Sequence, residues 1–417
     1  MNIKIKPTTL NGEVVIISSK SFAHRLLIAS SLTRGESTIR RVNGSQDVTA
    51  TIGVLRSMGT RILRVGDTCY IDRVSPVSEA TLDCVESGST LRFCMPLASS
   101  LGIDATFTGS ERLLSRPIGD LTDCLKMHGI EVDGHHLGGT LKSGIYRINS
   151  SVSSQYVTGL LMSLPLLEGD STLILEGDKV SRGYIDITLD VLKDSGIEVE
   201  MIDDHTYFIK GGQCYRMKSA TVEGDWSNAG FFLVAGATSD IGVTVKGLNK
   251  HSVQGDRAII DILKMAGAEV IEIEDGYTVK RGNPRTIDID CEDIPDLVPI
   301  ISVLCTLPCG DSTLRGVSRL VDKESDRLYA VIDMLRRAGV SATSDGYTLT
   351  IHSRGVVEGG DYLSYNDHRM VMSASILSSI ASGDSTIEGI EAVNKSYNTF
   401  FRDFSAIGGQ TYAMDRR

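Results

Sequence analysis

Eight cationic side chains in this sequence share one feature, which is that each lies at, or within one turn of, the predicted start of a helix. They are Lys20, Arg25, Arg92, Arg116, Lys323, Arg327, Arg369 and Lys395. Arginine makes planar bidentate contacts with phosphate and carboxylate groups, and lysine supplies a point charge. A helix start adds backbone N–H groups and the positive end of the helix dipole. Together these features predict a site for a ligand with more than one phosphate or carboxylate.

Each of these positions, taken alone, also has an ordinary structural explanation. Lysine and arginine on a helix surface are usually solvated, and serine or aspartate at a helix start is usually a cap. By the same logic Asp296 could be only a cap, and Glu324 only an ion-pair partner of Lys323 or Arg327. His368 alone is more often a hydrogen-bonded structural histidine, and Trp226 a core residue. The anionic site is inferred because the cations recur at equivalent points of a repeat.

The elements that must position these side chains repeat six times along the chain. A phrase close to Gly-Asp-Ser-Thr precedes an apolar strand pattern in each unit, and successive phrases lie roughly 70 residues apart. The phrases begin at Gly35, Gly102, Gly169, Ile241, Gly310 and Gly383. A second marker, a glycine that closes an apolar-periodic run, keeps the same period. Its members are Gly59, Gly129, Gly196, Gly267, Gly339 and Gly408.

The fifth unit illustrates the elements that one repeat contains. Its residues 293–296 predict an acidic cap, and the apolar run 297–305 then predicts a buried helix that Gly310 stops. The strand pattern 312–317 follows, and a stripe at Leu328, Val331, Ile332 and Leu335 predicts an amphipathic helix that ends at Gly339. Residues 342–351 predict a hairpin. The unit is therefore βαβαββ.

Alignment of the units brings short motifs into register at the predicted start of each first helix. They span residues 19–21, 86–90, 152–155, 225–228, 294–296 and 366–369. Starts of second helices are predicted at 116–117, 181–184, 323–327 and 395–396. If the units are arranged symmetrically, many helix N-termini point into one cleft, and this cleft binds anions through backbone and dipole alone.

Composition narrows the class of protein. At 417 residues the chain is too long for one ordinary core, so two domains with three units each are expected. The net charge of -11 argues against a nucleic-acid binder that relies on bulk electrostatics. The N-terminus has no apolar signal core, and no run approaches the length of a membrane span. The 8 scattered cysteines indicate buried free thiols in a reducing cytosol, so we expect a cytoplasmic protein.

At this point the motifs carry a family resemblance across nearly the whole chain. The phrases that carry it span residues 19–25, 87–92, 116–121, 152–156, 184–188, 222–225, 294–296, 323–327, 365–370 and 395–396. In order and spacing they resemble 3-phosphoshikimate 1-carboxyvinyltransferase, or EPSP synthase, of the enolpyruvyl transferase family. The resemblance implies an α/β fold of two domains, with six βαβαββ repeats arranged three per lobe around a central cleft. One lobe would be 19–222 on the shikimate 3-phosphate side. The other would be 1–18 plus 223–417, and it would carry the catalytic carboxylates and the basic residues that bind phosphoenolpyruvate.

The resemblance also implies an activity. The enzyme would transfer the enolpyruvyl group of phosphoenolpyruvate to the 5-hydroxyl of shikimate 3-phosphate and release phosphate. This is a step of the shikimate pathway, through which chorismate and the aromatic amino acids are made. No cofactor and no metal are expected, and the expected partners are the two small-molecule substrates, with no nucleic acid and no membrane. A monomer is also expected. Closure of the lobes on the substrates would exclude water.

Site residues follow from the resemblance position by position. Those expected to hold phosphoenolpyruvate are Lys20, Gly88, Ser89, Arg116, Gln155, Arg327, Arg369 and Lys395. Those expected to hold shikimate 3-phosphate are Ser21, Arg25, Ser153, Ser154, Gln155, Ser181, Tyr184, Asp296 and Lys323. Because the chemistry needs one proton removed from the hydroxyl and one delivered to the methylene carbon, two carboxylates suffice. By similarity Asp296 is the base, Glu324 is the proton shuttle at carbon, and Lys20 offsets charge on the intermediate.

Some positions depart from the family pattern. Glu86 stands where many relatives have asparagine, Ser89 replaces a usual threonine, and Arg182-Gly183 replaces a common Lys-Pro. Arg319 falls where relatives often place a substrate-binding asparagine, which puts that contact in doubt. None of these changes removes a proposed catalytic group.

Three other functions are weighed on the sequence alone. The sister transferase that acts on UDP-N-acetylglucosamine usually carries a reactive cysteine before the Arg-Pro motif, and residues 109–115 contain none. A non-catalytic anion-binding repeat protein would not need Asp296 and Glu324. An RNA-phosphate cyclase built on related units would need nucleotide binding, for which the sequence has no signature.

Overall fold

The structure, a computed structural model, describes residues 1–177 and 182–414. It divides into two compact units. One, the continuous unit, is Ser18–Glu223, and the other, the split unit, is Met1–Ile17 with Gly224–Arg417. Within the described residues, no helix is both long enough and apolar enough to cross a membrane.

The continuous unit contains three four-stranded sheets. In spatial order, the first sheet is Ser219–Thr221, Ser37–Arg40, Thr68–Ile71 and Ile62–Val65. The second is Glu79–Asp83, Asp104–Thr108, His136–Gly139 and Ile130–Asp133. The third is Ile145–Asn149, Ser171–Glu176, Thr206–Ile209 and Val199–Asp203.

The split unit contains three more sheets of the same size. The first is Asn11–Val15, Gly242–Lys246, Gly276–Lys280 and Glu269–Ile273. The second is Asp288–Asp290, Cys309–Arg315, Thr348–Arg354 and Ser341–Ser344. The third is Asp361–Leu363, Ser385–Glu388, Asn2–Lys6 and Gln410–Met414.

All six sheets share one pairing pattern. The first two strands of each, in the order given above, are parallel, and the remaining neighbours are antiparallel. Three sheets borrow a strand that is distant in sequence. Asn2–Lys6 lies in the sheet of the sixth repeat, Asn11–Val15 in that of the fourth, and Ser219–Thr221 in that of the first. The predicted α/β repeat is confirmed. Each of these three strands completes the four-stranded sheet that it joins.

The first helix of each repeat is buried. These helices are Lys20–Leu32, Gly88–Ser100, Ser154–Ser163, Trp226–Ala237, Val298–Leu304 and His368–Ser379. Five begin at a side-chain cap that accepts a backbone N–H, as predicted, and the caps are Ser19, Ser87, Ser153, Asp225 and Asp367. In the fifth repeat the prediction was wrong. The cap position is Leu297, no side chain caps the helix, and Gly310 lies inside the following strand.

The second helices lie later in each repeat. They are Gln46–Ser57, Gly119–Met127, Arg182–Asp194, Ile259–Met265, Arg327–Arg337 and Phe400–Ala406. A short helix, Glu111–Leu114, precedes the second of these, and 3-10 turns lie at Leu164–Leu166, Gly255–Ala258, Ser318–Asp322 and Ile390–Lys395. The six glycines that follow the second helices all have positive φ, from 72° at Gly196 to 103° at Gly59. The predicted left-handed ends are therefore confirmed in every repeat.

Each unit has its own hydrophobic core. The helices Gly88–Ser100 and Ser154–Ser163 supply much of the core in the continuous unit, and Trp226–Ala237 and Val298–Leu304 do so in the split unit. Trp226 is fully buried, as expected. All eight cysteines lie within the described residues and are free thiols, and six are buried, but Cys214 and Cys309 are exposed.

Candidate active site

A buried cluster of charges in the split unit is centred on Asp296. Its Oδ1 accepts a hydrogen bond from Arg327 Nη1 at 2.7 Å, and its Oδ2 accepts one from Arg369 Nη2 at 2.9 Å. Lys323 Nζ lies 3.9 Å from Oδ1. These two hydrogen bonds explain why Asp296 does not cap its own helix, because its carboxylate oxygens are held by guanidinium groups from the second helix of the same repeat and from the first helix of the sixth.

Arg327 is the most enclosed cation of this cluster, with 1% of its surface exposed. Besides Asp296 it donates to Glu324 Oε2 through Nη2 at 2.5 Å, and to Asp367 Oδ2 through Nε at 2.7 Å. Asp367 is also the cap of helix His368–Ser379, since it accepts the backbone N–H of Arg369. One guanidinium therefore ties both predicted catalytic carboxylates to a helix start.

The charges around Asp296 control its ionisation. Burial disfavours the charged form, but the cations Arg369, Lys323 and Arg327 outweigh burial and hold the pKa of Asp296 well below its usual range. Burial lowers the pKa of Lys323 to about 8, although the charge of Asp296 opposes that shift. In this state of the molecule Asp296 is an ionised carboxylate.

Lys395 lies at the end of a 3-10 turn rather than at a helix start, which corrects the sequence prediction. The turn is Ile390–Lys395, and the α-helix begins only at Phe400. Lys395 Nζ donates to the backbone oxygen of Asn366 at 2.7 Å. Asn366 has a φ of 54°, in the left-handed region of the backbone. Lys395 therefore contacts the backbone of the residue that precedes the helix cap Asp367.

In the continuous unit, Lys20 is paired with an acid that the sequence did not single out. Its Nζ lies 2.8 Å from Asp47 Oδ2, and both side chains are largely buried. Lys20 is the first residue of its helix, and Asp47 lies in the first turn of the next helix. The position of the lysine at a predicted helix start is therefore confirmed.

Four residues expected to hold phosphoenolpyruvate lie together in the continuous unit. Gln155 Nε2 donates to Ser89 Oγ at 3.0 Å, and Gln155 Oε1 accepts from Arg92 Nη1 at 2.8 Å. A Cβ on Gly88 would lie 2.6 Å from Arg116 Nη1, so the missing side chain makes room for that guanidinium. Within residues 1–177 and 182–414, Arg116 Nε is buried without a hydrogen-bond partner.

Arg25 has a different environment from the other cations of its unit. Only 2% of its surface is exposed, and its guanidinium lies over the ring of Phe93. It donates to Thr188 Oγ1, to Thr158 Oγ1 and to the backbone oxygens of Ser21 and Tyr184. These bonds tie together three helices, so Arg25 has a structural role whether or not it also binds a substrate.

The remaining predicted positions include two at the start of helix Ser154–Ser163. Ser153 caps that helix through the backbone N–H of Gln155, Ser154 is buried, and Tyr184 is partly buried. Ser21 is partly buried in the first turn of its own helix. Ser181 lies outside the described residues. Arg319, the departure from the family pattern, donates to the backbone oxygen of Glu292 at 2.7 Å.

Comparison with known proteins decides the family. The family model described as EPSP synthase (3-phosphoshikimate 1-carboxyvinyltransferase) matches residues 5–404. A 3-phosphoshikimate 1-carboxyvinyltransferase of Clostridium kluyveri is 39% identical over 98% of this chain and 97% of that protein. One from Brachyspira hyodysenteriae is 38% identical over 98% of this chain and 99% of that protein. The chain belongs to the EPSP synthase family.

The fold agrees with that membership. An EPSP synthase structure from Acinetobacter baumannii has a TM-score of 0.83 to this chain, covers 99% of it and is itself covered completely, at 23% identity. The resemblance seen in the sequence motifs is thus confirmed, and the EPSP synthase family is favoured over the sister transferase and over a non-catalytic repeat protein. The roles of the individual site residues stay predictions.

Two buried acids that bear on the site were missed by the sequence analysis. Asp47 pairs with Lys20, and Asp256 lies 7% exposed near Arg369. Both lie at the start of the second helical segment of a repeat, the first and the fourth respectively. Alignment of the repeats could have identified both acids, because they occupy the start of the second helical segment, where other repeats have cations.

Proposed function

We propose that this chain transfers the enolpyruvyl group of phosphoenolpyruvate to the 5-hydroxyl of shikimate 3-phosphate. The products are 5-enolpyruvylshikimate 3-phosphate and phosphate. The observation that carries the proposal is membership of the EPSP synthase family over nearly the whole length of the chain. The clustered cations support it, because both substrates carry phosphate and carboxylate groups.

The reaction divides into an addition and an elimination. In the addition, the 5-hydroxyl oxygen bonds to C2 of phosphoenolpyruvate, the hydroxyl proton leaves to a base, and the methylene carbon gains a proton. In the elimination, that carbon loses a proton, the C2–C3 double bond forms again and the C2–O bond to phosphate breaks. We assign Asp296 as the base and Glu324 as the group that protonates and deprotonates carbon. Lys20 would stabilise the charge that develops on the intermediate.

The charges around Asp296 suggest how substrates activate this base. Without ligand, the cations hold the pKa of Asp296 low, which makes it a weak base. Anionic groups that bind to Arg369, Arg327 and Lys323 would neutralise these cations. The pKa of Asp296 would then rise toward the value that burial favours, and the carboxylate would accept the hydroxyl proton more readily.

Substrate contacts are proposed for both units. For phosphoenolpyruvate they are Lys20, Gly88, Ser89, Arg116, Gln155, Arg327, Arg369 and Lys395. For shikimate 3-phosphate they are Ser21, Arg25, Ser153, Ser154, Gln155, Ser181, Tyr184, Asp296 and Lys323. The buried Arg116 Nε, which has no partner in the described chain, supports an anion contact at that guanidinium.

An assay of phosphate release tests the function. We expect release only when phosphoenolpyruvate and shikimate 3-phosphate are both present. UDP-N-acetylglucosamine is the control acceptor, and release with it instead of shikimate 3-phosphate would assign the chain to the sister activity. No release with either acceptor would contradict the proposal.

We further propose that the enzyme acts as a monomer in the cytoplasm. Each of the six sheets in the described residues is built from four strands of this chain, so none needs a strand from a second copy, which supports a monomer. Six buried free thiols support a reducing compartment. Size-exclusion chromatography with light scattering tests the monomer, since a mass near 45.0 kDa is expected and twice that mass would contradict it.

A further inference from the structure

A chain of buried hydrogen bonds between polar side chains joins three helices of the continuous unit. His24 Nδ1 lies 2.7 Å from Thr51 Oγ1, and Thr51 Oγ1 lies 2.7 Å from Thr90 Oγ1. Thr90 Oγ1 in turn donates to Ser87 Oγ at 2.7 Å. None of the four residues is more than 1% exposed. The three helices are Lys20–Leu32, Gln46–Ser57 and Gly88–Ser100.

The direction of these hydrogen bonds follows from the protons that are available. Each threonine hydroxyl has a single proton. Because Thr90 gives its proton to Ser87, the contact between the two threonines needs the proton of Thr51. Thr51 must then accept from His24, which therefore carries a proton on Nδ1. His24 is the donor at the head of the chain.

The second ring nitrogen of His24 indicates that the imidazole is neutral. Within residues 1–177 and 182–414, its Nε2 is buried without a hydrogen-bond partner. A proton there would be a buried donor with no acceptor, which is unfavourable. Burial lowers the pKa of His24 well below its ordinary value, and the charges of Lys20 and Arg25 add to the decrease.

The chain ends at the residue that begins the helix Gly88–Ser100. Ser87 caps this helix, because its Oγ also accepts the backbone N–H of Thr90 at 3.2 Å. The two residues that follow the cap are Gly88 and Ser89, both of which are proposed to bind phosphoenolpyruvate. The cap and the residues that meet the ligand are therefore adjacent in the chain.

The helix start has little room to move. A Cβ on Gly88 would lie 2.6 Å from Arg116 Nη1, and Ser89 Oγ accepts from Gln155 Nε2 at 3.0 Å. A shift of a few tenths of an ångström at the cap would therefore change both contacts. The other two helices are also joined by the ion pair of Lys20 with Asp47 at 2.8 Å, so a break in the chain should act mainly at the cap.

We propose that His24 is a positioning residue for phosphoenolpyruvate, which acts through two threonine hydroxyls on the Ser87 cap. It fixes the place at which Gly88 and Ser89 meet the ligand, and it does not touch the ligand itself. The inference rests on the proposed function, which assigns these two residues to phosphoenolpyruvate. The neutral Nδ1–H form of the imidazole supplies the first hydrogen bond of the chain.

Two replacements of His24 separate the hydrogen bond from the volume of the side chain. Asparagine places an amide N–H where it can donate to Thr51, whereas leucine has a similar size and no donor. His24→Leu should raise KM for phosphoenolpyruvate about fivefold or more, while KM for shikimate 3-phosphate changes less than about twofold. His24→Asn should keep both KM values within about twofold of the wild type.

The variant Thr51→Val breaks the chain at its middle with little change of shape. It should raise KM for phosphoenolpyruvate as much as His24→Leu does, and the double variant should go no further, because both changes remove one chain. Thr60→Val is the matched control. Thr60 is 3% exposed, and its hydroxyl has no hydrogen-bond partner in the described part of the chain, so both KM values should stay unchanged.

The tautomer of His24 gives a readout that a purely structural role would not require. A nitrogen–proton correlation spectrum of isotope-labelled protein should show Nδ1 protonated and Nε2 bare from about pH 5.5 to about pH 8. An Nε2–H tautomer, or an imidazolium in that range, would overturn the proposal. So would an unchanged KM for phosphoenolpyruvate in Thr51→Val, which decides alone if His24→Leu does not fold.

Failure of the proposed function has a separate signature. If the wild type shows no turnover with both substrates, the function fails before any variant is compared. The inference is then judged on calorimetric affinity for inorganic phosphate, which should fall in His24→Leu and Thr51→Val and hold in His24→Asn and Thr60→Val. Equal affinities in all four variants, or no affinity in the wild type, would overturn it.

Discussion

At the residue scale, Asp296 shows how a buried carboxylate stays ionised in the split unit. Its two oxygens receive hydrogen bonds from two guanidinium groups, and a lysine lies within 4 Å. Any ligand that competes for these cations changes the basicity of the carboxylate without touching it. The neighbouring Glu324 also pairs with Arg327 and is more exposed than Asp296. Two carboxylates in unlike surroundings suit the different proton transfers proposed for them.

Replacement of Glu324 by glutamine should separate catalysis from stability. We expect turnover to fall by about a hundredfold or more, because the amide cannot deliver or accept the carbon proton. The melting temperature should change little, since Arg327 still donates hydrogen bonds to Asp296 and Asp367. Phosphate release and thermal unfolding measure the two effects, and Glu269→Gln on an outer strand serves as the control. Near-normal turnover in Glu324→Gln would show that its role is wrong.

The buried ammonium group of Lys323 should lower the free energy of unfolding. The folded pKa is about 8 and the ordinary value is 10.5, so the unfolded chain binds more protons between these values. The destabilisation is therefore complete below about pH 8 and disappears as the pH rises past about 10.5. Lys323→Met should raise the free energy of unfolding at pH 7 by roughly 1–3 kcal/mol. Urea denaturation at pH 7 and pH 10.5 checks this, and a variant less stable than wild type at pH 7 would contradict it.

At the element scale, the repeat made most of the fold predictable from the sequence. The glycines after the second helices and five of the six helix caps depend on residues close in the chain, and these were predicted correctly. The start of the fifth first helix was not, because Asp296 is bound by Arg327 and Arg369, which are distant in sequence. A local sequence pattern cannot predict such distant partners. The same reason hid the pairing of Lys20 with Asp47.

Two of the terminal glycines allow strain to be separated from crowding. Gly267 and Gly408 have φ of 84° and 93°, so alanine at either site is strained by about 1–2 kcal/mol. At Gly267 a Cβ would also lie 1.9 Å from the backbone oxygen of Asn283, whereas at Gly408 the nearest atom is 3.6 Å away. Gly267→Ala should therefore cost at least about 1 kcal/mol more than Gly408→Ala. Equal losses of unfolding free energy in urea would contradict this.

At the scale of the whole molecule, each sheet takes its strands from one unit only. In each unit the two ends of the chain that continue into the other unit are hydrogen-bonded to each other. Asp225 N donates to Ile17 O in the split unit, and Ser19 N donates to Glu223 O in the continuous unit. Each unit therefore contains every strand of its own three sheets. Each unit also has its own core.

The continuous unit should consequently fold when it is produced alone as residues 18–223. We expect a single cooperative urea transition and a dispersed amide spectrum, because all of its sheets and its core are complete. The fragment should have no transferase activity, since Asp296 and Glu324 are absent. A matched fragment, 18–217, lacks the strand Ser219–Thr221 and should be less stable. An unfolded 18–223 fragment would contradict the expectation.

The strand Asn2–Lys6 has a consequence for the order in which the protein can fold during synthesis on the ribosome. It lies between Ser385–Glu388 and Gln410–Met414, so this early strand must wait for strands that are made much later. The continuous unit has all of its strands as soon as residue 223 has emerged, and it can fold while synthesis goes on. During that interval the early strands Asn2–Lys6 and Asn11–Val15 have no sheet to join. We therefore expect nascent chains of this protein to bind a chaperone at Asn2–Lys6 until Ser385–Glu388 and Gln410–Met414 have emerged.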